Sequence, residues 1–315
     1  MKRALLAAAC VLLLAGCSPR ADQTAAPAGP SQAADITEKV CTWDREPVLL
    51  RFLDEDTLGV ECRLETDSST ILYSIGDGTV AEEEQSLDAV RPNSFDREVL
   101  LENGGTAAVS EDQDRVFYRT PAGTRRLLLD GSALEDPETY WMIAARGKWG
   151  AVSGISASGV PCAYLLDLDS MEAARLETRD GMIPADIEGD LVLFAQENVL
   201  NPAGGQTLQL YDAASGSLLE VDAGSESGAS HAVLSAGGRY LLSCAEDTQE
   251  GTLSFSVFDS RDGSLVTAAE VEGYGLLADS AYLNMALSPD GNLLAALAYR
   301  TPEDTRAALL LYRLR

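Results

Sequence analysis

The chain is poor in the residues that most often do chemistry or bind polyanions. It has one histidine, His231, in 315 residues, and aromatic side chains make up only 6%. Lysine and arginine number 23 against 50 aspartates and glutamates, a formal net charge of −27. Nucleic acid is excluded as a natural partner, because phosphate binding needs a basic patch. Simple adsorption to anionic lipid headgroups is disfavoured for the same reason. Past residue 14 no apolar stretch approaches the roughly 20 residues that a membrane-spanning helix needs. No Gly-x-Ser-x-Gly, phosphate-binding loop or His-Glu-x-x-His motif occurs. What is present is 46% hydrophobic residues, enough to bury one large core or two ordinary ones.

The first residues are organised differently from the rest. Met1-Lys2-Arg3 is a short basic region, followed by an apolar run over residues 4–14. That run is too short to span a bilayer but suits the core of a secretory signal. It ends in Leu14-Ala15-Gly16-Cys17, which resembles the lipobox of bacterial lipoproteins. The resemblance implies a signal peptide over 1–16, cleavage before Cys17 and lipid on its thiol. Loss of Lys2 and Arg3 would take the net charge to −29. The sequence thus predicts a protein lipid-anchored to a bacterial membrane and facing out of the cytoplasm. Residues 17–35, rich in Ala, Pro, Gly, Ser, Gln and Thr, read as the lipidated cysteine and a flexible linker. As a coil it reaches roughly 20–25 Å.

With Cys10 removed and Cys17 lipidated, Cys41, Cys62, Cys162 and Cys244 remain. Outside the cytoplasm an even set permits disulfides, and burial as free thiols is the alternative. No clustered spacing points to zinc.

From residue 36 to 315 the pattern is strand after strand. Short runs are apolar throughout, as strands covered on both faces require, and turn residues recur every eight to twelve positions. The punctuation repeats. Leu287-Ser288-Pro289-Asp290-Gly291-Asn292-Leu293-Leu294 has the same plan as Leu234-Ser235-Ala236-Gly237-Gly238-Arg239-Tyr240-Leu241. Looser copies occur at 186–191, 144–149, 109–114 and 53–58. The marker positions 56, 113, 147, 189, 238 and 291 are on average 47 residues apart. Each is followed by a second signal, a Φ-aromatic-x₄-Gly-[Ser/Thr] hairpin, clearest at 210–217 and 257–264. Units of 40 to 50 residues with four strands apiece are the mark of a β-propeller. The Ser-Pro-Asp-Gly turn and the hairpin after it resemble TolB-type and WD40-like bacterial propellers. The fold class read here is all-β, a propeller of four-stranded blades. Six blades fit the length and seven shorter ones are the alternative. The last unit stops after its third strand, so an N-terminal segment should complete it, either residues 48–52 or the stretch before them.

Candidate chemistry is thin. The acidic clusters 54–56, 82–84 and 111–114 are the densest; the first and third lie where turns are expected, and the clusters read as solvated charges or as a divalent-cation site. No other cofactor is implied. His231 is expected just before the innermost strand of the fifth unit and is read as facing a ligand at the ring mouth or as structurally satisfied. Ser227 and Ser230 nearby make a nucleophile–base pair conceivable. Tyr140 and Trp141, between the second and third units, form either a platform for a sugar or peptide or packing between blades. Trp149 reads as core, and Trp43 carries no assignment. The function expected is a tethered binding or scaffold module for an envelope protein, peptide or glycan. The alternative is a propeller enzyme of lactonase, lyase or glycosidase type using channel-facing carboxylates and a divalent metal.

Overall fold

The computed structural model describes residues 34–40, 46–64, 67–83, 97–101, 103–179, 181–196, 207–223, 230–247, 251–276, 285–300 and 304–314. Cys10, Cys17, Cys41, Trp43, Glu84 and Ser227 lie outside them.

The chain is a β-propeller, and its described residues form six antiparallel sheets taken up in sequence order. Blade 1 comprises β2 (Glu46–Phe52), β3 (Thr57–Leu64), β4 (Asp67–Ser74) and β5 (Val80–Glu83), with β1 (Ala34–Asp35) belonging elsewhere. Blade 2 is β6 (Glu98–Leu100), β7 (Thr106–Val109), β8 (Arg115–Arg119) and β9 (Arg125–Asp130). Blade 3 is β10 (Glu138–Arg146), β11 (Trp149–Ser156), β12 (Pro161–Asp167) and β13 (Glu172–Leu176). Blade 4 follows with β14 (Met182–Glu188), β15 (Leu191–Gln196), β16 (Thr207–Asp212) and β17 (Ser217–Asp222). Blade 5 is β18 (Ser230–Leu234), β19 (Tyr240–Asp247), β20 (Thr252–Asp259) and β21 (Leu265–Glu272). In blade 6 the inner position is shared by β22 (Tyr274–Leu276) and β23 (Met285–Leu287). Both pair with β24 (Leu293–Arg300), and β25 (Asp304–Arg313) lies outside it.

The outermost strand of blade 6 is β1, with Ala34 opposite Leu311 and Asp35 opposite Leu310. The N-terminal closure is therefore made by the stretch before residues 48–52, which themselves lie in the inner strand of blade 1. β1 takes the last two residues of the expected linker. Its hold continues past the strand. The Ile36 N–H donates to the Leu309 carbonyl at 2.9 Å, and the Leu309 N–H donates to Thr37 Oγ1 at 2.7 Å. Asp35 Oδ1 accepts from the Thr37 N–H and hydroxyl, and one short helix, α1 (Thr37–Val40), follows.

Blades are held together face to face. Five apolar clusters of buried residues lie between neighbours, from blades 2 and 3 round to blades 6 and 1. This is why the second and third strands are apolar without alternation: β11 is buried at seven of its eight positions because both its faces meet a neighbouring blade. Outer strands such as β13 are exposed or half-buried throughout. The three described cysteines, Cys62, Cys162 and Cys244, are buried free thiols in three different blades.

The repeated turn has a mechanical origin. Gly291 has φ +70°, and a Cβ there would lie 2.8 Å from the Tyr240 ring at the start of the preceding blade's second strand. Gly238 has φ +69° and would meet Leu191 at the equivalent place one blade earlier. Only glycine offers both the left-handed backbone and the close approach. The hairpin signal is explained by aspartates: Asp212 Oδ1 accepts the N–H groups of Ala214 and Ser215, and Asp167 Oδ1 those of Asp169 and Ser170. Asp259 Oδ1 accepts the Arg261 N–H at the same point of blade 5.

The second repeat differs from its sequence reading by one hairpin. The turn at 110–114 joins β7 to β8, and the first turn of that blade is at 101–105. With position 104 as marker, the intervals between units narrow from 34–57 to 42–53 residues. Because the strands alternate in direction, the first and third turns of every blade share one face of the ring, here the lower. The second turns and the blade-to-blade connections share the upper.

Candidate functional site

The upper end of blade 3 carries a cavity of about 310 Å³. Its floor is Glu138, the first residue of the inner strand β10, whose side chain is 1% exposed. A buried carboxylate needs its lone pairs occupied, and three side chains do this. Tyr140 and Tyr164 donate their hydroxyls to Glu138 Oε2 at 3.0 and 2.8 Å, and Arg175 Nη1 lies 3.1 Å from Oε1. The two rings meet edge to face, 6.0 Å apart at 88°. Register places Tyr164 directly opposite Arg175 across β12 and β13, with the guanidinium 5.9 Å from the ring centroid. Arg175 is thereby anchored at one end, while its side chain is 51% exposed into the cavity.

Burial, with the Glu138 charge second, pushes both phenols well above the ordinary tyrosine range. Cys162, in the same strand as Tyr164, is pushed up to about 12 by burial first and by Glu138 second. None of these groups is poised to give up a proton near neutrality.

The rim is polar on one side and apolar on the other. Asp136 accepts the Ser158 hydroxyl at 2.5 Å and its N–H at 3.2 Å, which holds its carboxyl below the usual aspartate range. Ser156 Oγ is 3.0 Å from Ser158 Oγ and accepts the Val160 N–H at 3.2 Å. Leu134 and Val160, 40% and 51% exposed, close the rim. The site thus offers a fixed cation, oriented acceptors and an apolar shoulder.

The residues singled out from sequence fall around this region unequally. Tyr140 is fully buried between blades 2 and 3, so it supports the site through Glu138 and presents no surface of its own. Trp141 lies within β10 rather than in a connection, at a bulge where the pairing slips between Tyr140 and Met142, and is half-buried. The same slip recurs at Val48 in β2 and Ala185 in β14. His231 is the second residue of β18, near the upper end of the inner strand, and half-buried; desolvation lowers its pKa, so it is neutral at pH 7. Of its conceived partners, Ser227 lies outside the described residues, and no hydrogen bond joins a described group to the imidazole. Among the described residues no three His, Cys, Asp or Glu side chains gather closely enough to hold a metal ion. Of the acidic clusters, 54–56 is a capped turn in which Asp54 accepts from Asp56 and Thr57. Glu138, Tyr164 and Arg175 were not marked by sequence; each is an ordinary residue in a strand, and only the sheet register joins them.

A second buried carboxylate is structural. Asp186, in β14, accepts the N–H of Ile187 at 2.8 Å and of Leu234 at 2.7 Å, tying the inner strands of blades 4 and 5. Burial pushes its carboxyl up to about 7, against the pull of those N–H groups and of Arg146. Arg146 pairs with Glu188 and donates to the Ile187 carbonyl, and Glu188 Oε1 accepts the Gly237 N–H. Blades 3, 4 and 5 are stitched on the lower face by this chain of contacts.

No known family matches the sequence, and no curated protein does. Solved structures with some likeness are propellers of low identity. The Dos1 propeller is 11% identical, with 82% of this chain and 75% of that one covered and a TM-score of 0.44. TolB from Acinetobacter baumannii is 17% identical over 78% of this chain and 59% of its own, at 0.39. An oligogalacturonate lyase in complex with manganese is 10% identical over 91% and 96%, at 0.41. The fold assignment rests on the sheet topology, and the chemistry of the site on its own residues.

Proposed function

We propose that the protein is an extracytoplasmic lipoprotein, anchored through Cys17 after removal of residues 1–16, whose propeller over residues 36–315, clasped by β1, binds an envelope protein, peptide or glycan at the upper face. One observation carries the binding reading: every buried ionisable group of the blade 3 site is already matched to a neighbour. Acid–base catalysis needs a group free to change its protonation near the working pH. Burial raises Tyr140, Tyr164 and Cys162 further from neutrality, and Glu138 is engaged by two phenols and a guanidinium. What is left unspent is recognition: the outer half of Arg175, the oriented Asp136 and Ser156, and the apolar Leu134 and Val160. Peptide backbones and sugar hydroxyls ask for this mixture of donor, acceptor and apolar contact. Trp141 and His231, half-buried on the inner strands of blades 3 and 5, do not line this cavity.

Two experiments test the halves separately. Metabolic labelling with a palmitate analogue should mark the wild type and leave Cys17→Ala unmarked; equal labelling removes the anchor. Affinity purification of the tethered domain from its own envelope should retain a ligand that Arg175→Glu loses at least tenfold. Equal recovery by both proteins would contradict a role for this site.

A further inference from the structure

We propose that the hairpin joining β8 and β9 on blade 2 is a docking surface for the anionic phospholipid headgroups of the bilayer that holds the anchor. Its location argument rests on the anchoring of Cys17 proposed above; its chemistry rests on the hairpin alone.

The hairpin breaks the charge pattern of the chain. Residues 115–129 hold four arginines and no acid, in a protein with more than two acids for every base; Arg115 pairs with the flanking Asp114 and Asp130, and the other three stand around the turn. Arg119 and Arg125 stand directly opposite each other across the strand pair, and like charges at that spacing repel. Among the described residues Arg119 has one acid within ion-pair reach, Glu98 at 3.9 Å with both side chains half exposed, a weak pairing. Arg125 lies over the Phe117 ring, 3.4 Å from its centroid, which fixes the guanidinium without neutralising it. Arg126 is exposed and has no acidic partner among the described residues, and Leu127 beside it is 48% exposed. One charge suffices to blunt an unpaired sheet edge. A repelling pair plus a third arginine exceeds that need, and among the described residues no other outer strand opens on two arginines.

Topology puts this hairpin on the side of the tether. β25 ends at the lower face, where the Leu314 N–H meets the Asn292 carbonyl in the first turn of blade 6. β1 runs antiparallel to it, so Ala34, where the described N-terminal stretch begins, lies toward that same face. The turn at 120–124 is the third of its blade and also lies there. The composition of residues 17–33 leads to the expectation of a coil reaching roughly 20–25 Å, short enough for an anchor at Cys17 to hold the lower face near the headgroups. Screening beyond about 8 Å at physiological salt confines each charge to its own neighbourhood. The −27 of the whole chain opposes adsorption of the molecule at large, while the hairpin makes a local contact. Acidic turns such as 54–56 hold the rest of the lower face off the surface. Contact is then made by the edge of blade 2, and the Arg175 site points into the aqueous compartment.

The test uses the full chain. With Ala122→Cys carrying a dye and the wild type labelled in parallel, the lipidated protein is placed in phosphatidylcholine vesicles with or without 30% phosphatidylglycerol and a headgroup quencher. Quenching at residue 122 should be at least threefold stronger on the anionic vesicles. It should disappear in 0.5 M NaCl and when Arg119, Arg125 and Arg126 are all changed to Glu, or to Gln if the charge reversal lowers the melting temperature. Equal quenching on both vesicles, or quenching indifferent to the variants, overturns the proposal. The Cys17→Ser chain, floated with the anionic vesicles at 20 mM salt, should be recovered at least fivefold more with the wild-type hairpin than with the substituted one; no difference overturns it as well. Failure of the anchor shows separately, as the absence of acyl mass on Cys17, and the flotation comparison then decides the hairpin by itself.

Discussion

At the scale of single residues, part of the acidic charge is spent on geometry. Asp54, Asp77, Asp167, Asp212 and Asp262 each accept backbone N–H groups two or three residues ahead; these bonds at the first three, and chiefly the Ser215 and Ser264 hydroxyls at Asp212 and Asp262, hold the carboxyls below the usual range. A carboxyl lowered in the folded state contributes stability that is present above its unfolded value near 4 and is lost as pH falls. Asp186 has the opposite sign. Its folded carboxyl lies at about 7, so its contribution is full below about 4 and fades as pH rises to 7. Folding stability should therefore pass a maximum between about pH 4 and 6. Asp186→Asn should flatten the decline from pH 4 to 7 while lowering stability throughout, because its amide turns a donor toward one of two N–H groups. Urea melts at pH 4, 5.5 and 7 check the slope; an unchanged slope would remove Asp186 from the account. Gly291→Ala should cost about 2 kcal/mol, from a left-handed backbone and the clash with Tyr240. Gly189→Ala, at φ +60° with open space around it, should cost less. Equal losses would mean that the interblade contact contributes nothing.

At the scale of elements, legibility followed the turns. The Ser288–Asn292 turn was readable because its residues build it: Ser288 Oγ accepts the N–H of Leu293, and Asp290 accepts that of Asn292. Blade 2 was misaligned because β6 has only three residues and two polar turns of similar composition follow one another. The clasp was placed only to within a choice of two segments, since a two-residue strand such as Ala34–Asp35 has no hydrophobic pattern to read. Its strength lies just beyond it, where Ile36 is 3% exposed in the core shared by blades 6 and 1. Ile36→Ala should lower stability by about 2–4 kcal/mol, measured by denaturant melts, and should speed proteolysis near residue 36. A loss under about 0.5 kcal/mol would mean that the ring closes without this strand.

At the scale of the whole molecule, the ring brings together what the chain keeps apart. Glu138, Tyr164 and Arg175 sit on the first, third and fourth strands of one blade, and nothing in their local sequence sets them off from other strand residues. Tyr140 was noticed for its neighbour Trp141, yet its role is to hold Glu138. Composition could say that the surface is acidic, whereas the topology divides that surface into a lower face of capped turns and an upper face with a site on blade 3. The central claim is that this upper site, and not the ring at large, meets the ligand. A photo-crosslinking amino acid placed at Val160 in the living envelope, beside the same probe at Leu218 on the outer strand of blade 4, tests it most directly. The account predicts a discrete adduct from position 160 that Arg175→Glu abolishes, with none from position 218. The same adduct from both positions, or one at 160 that survives Arg175→Glu, would contradict it.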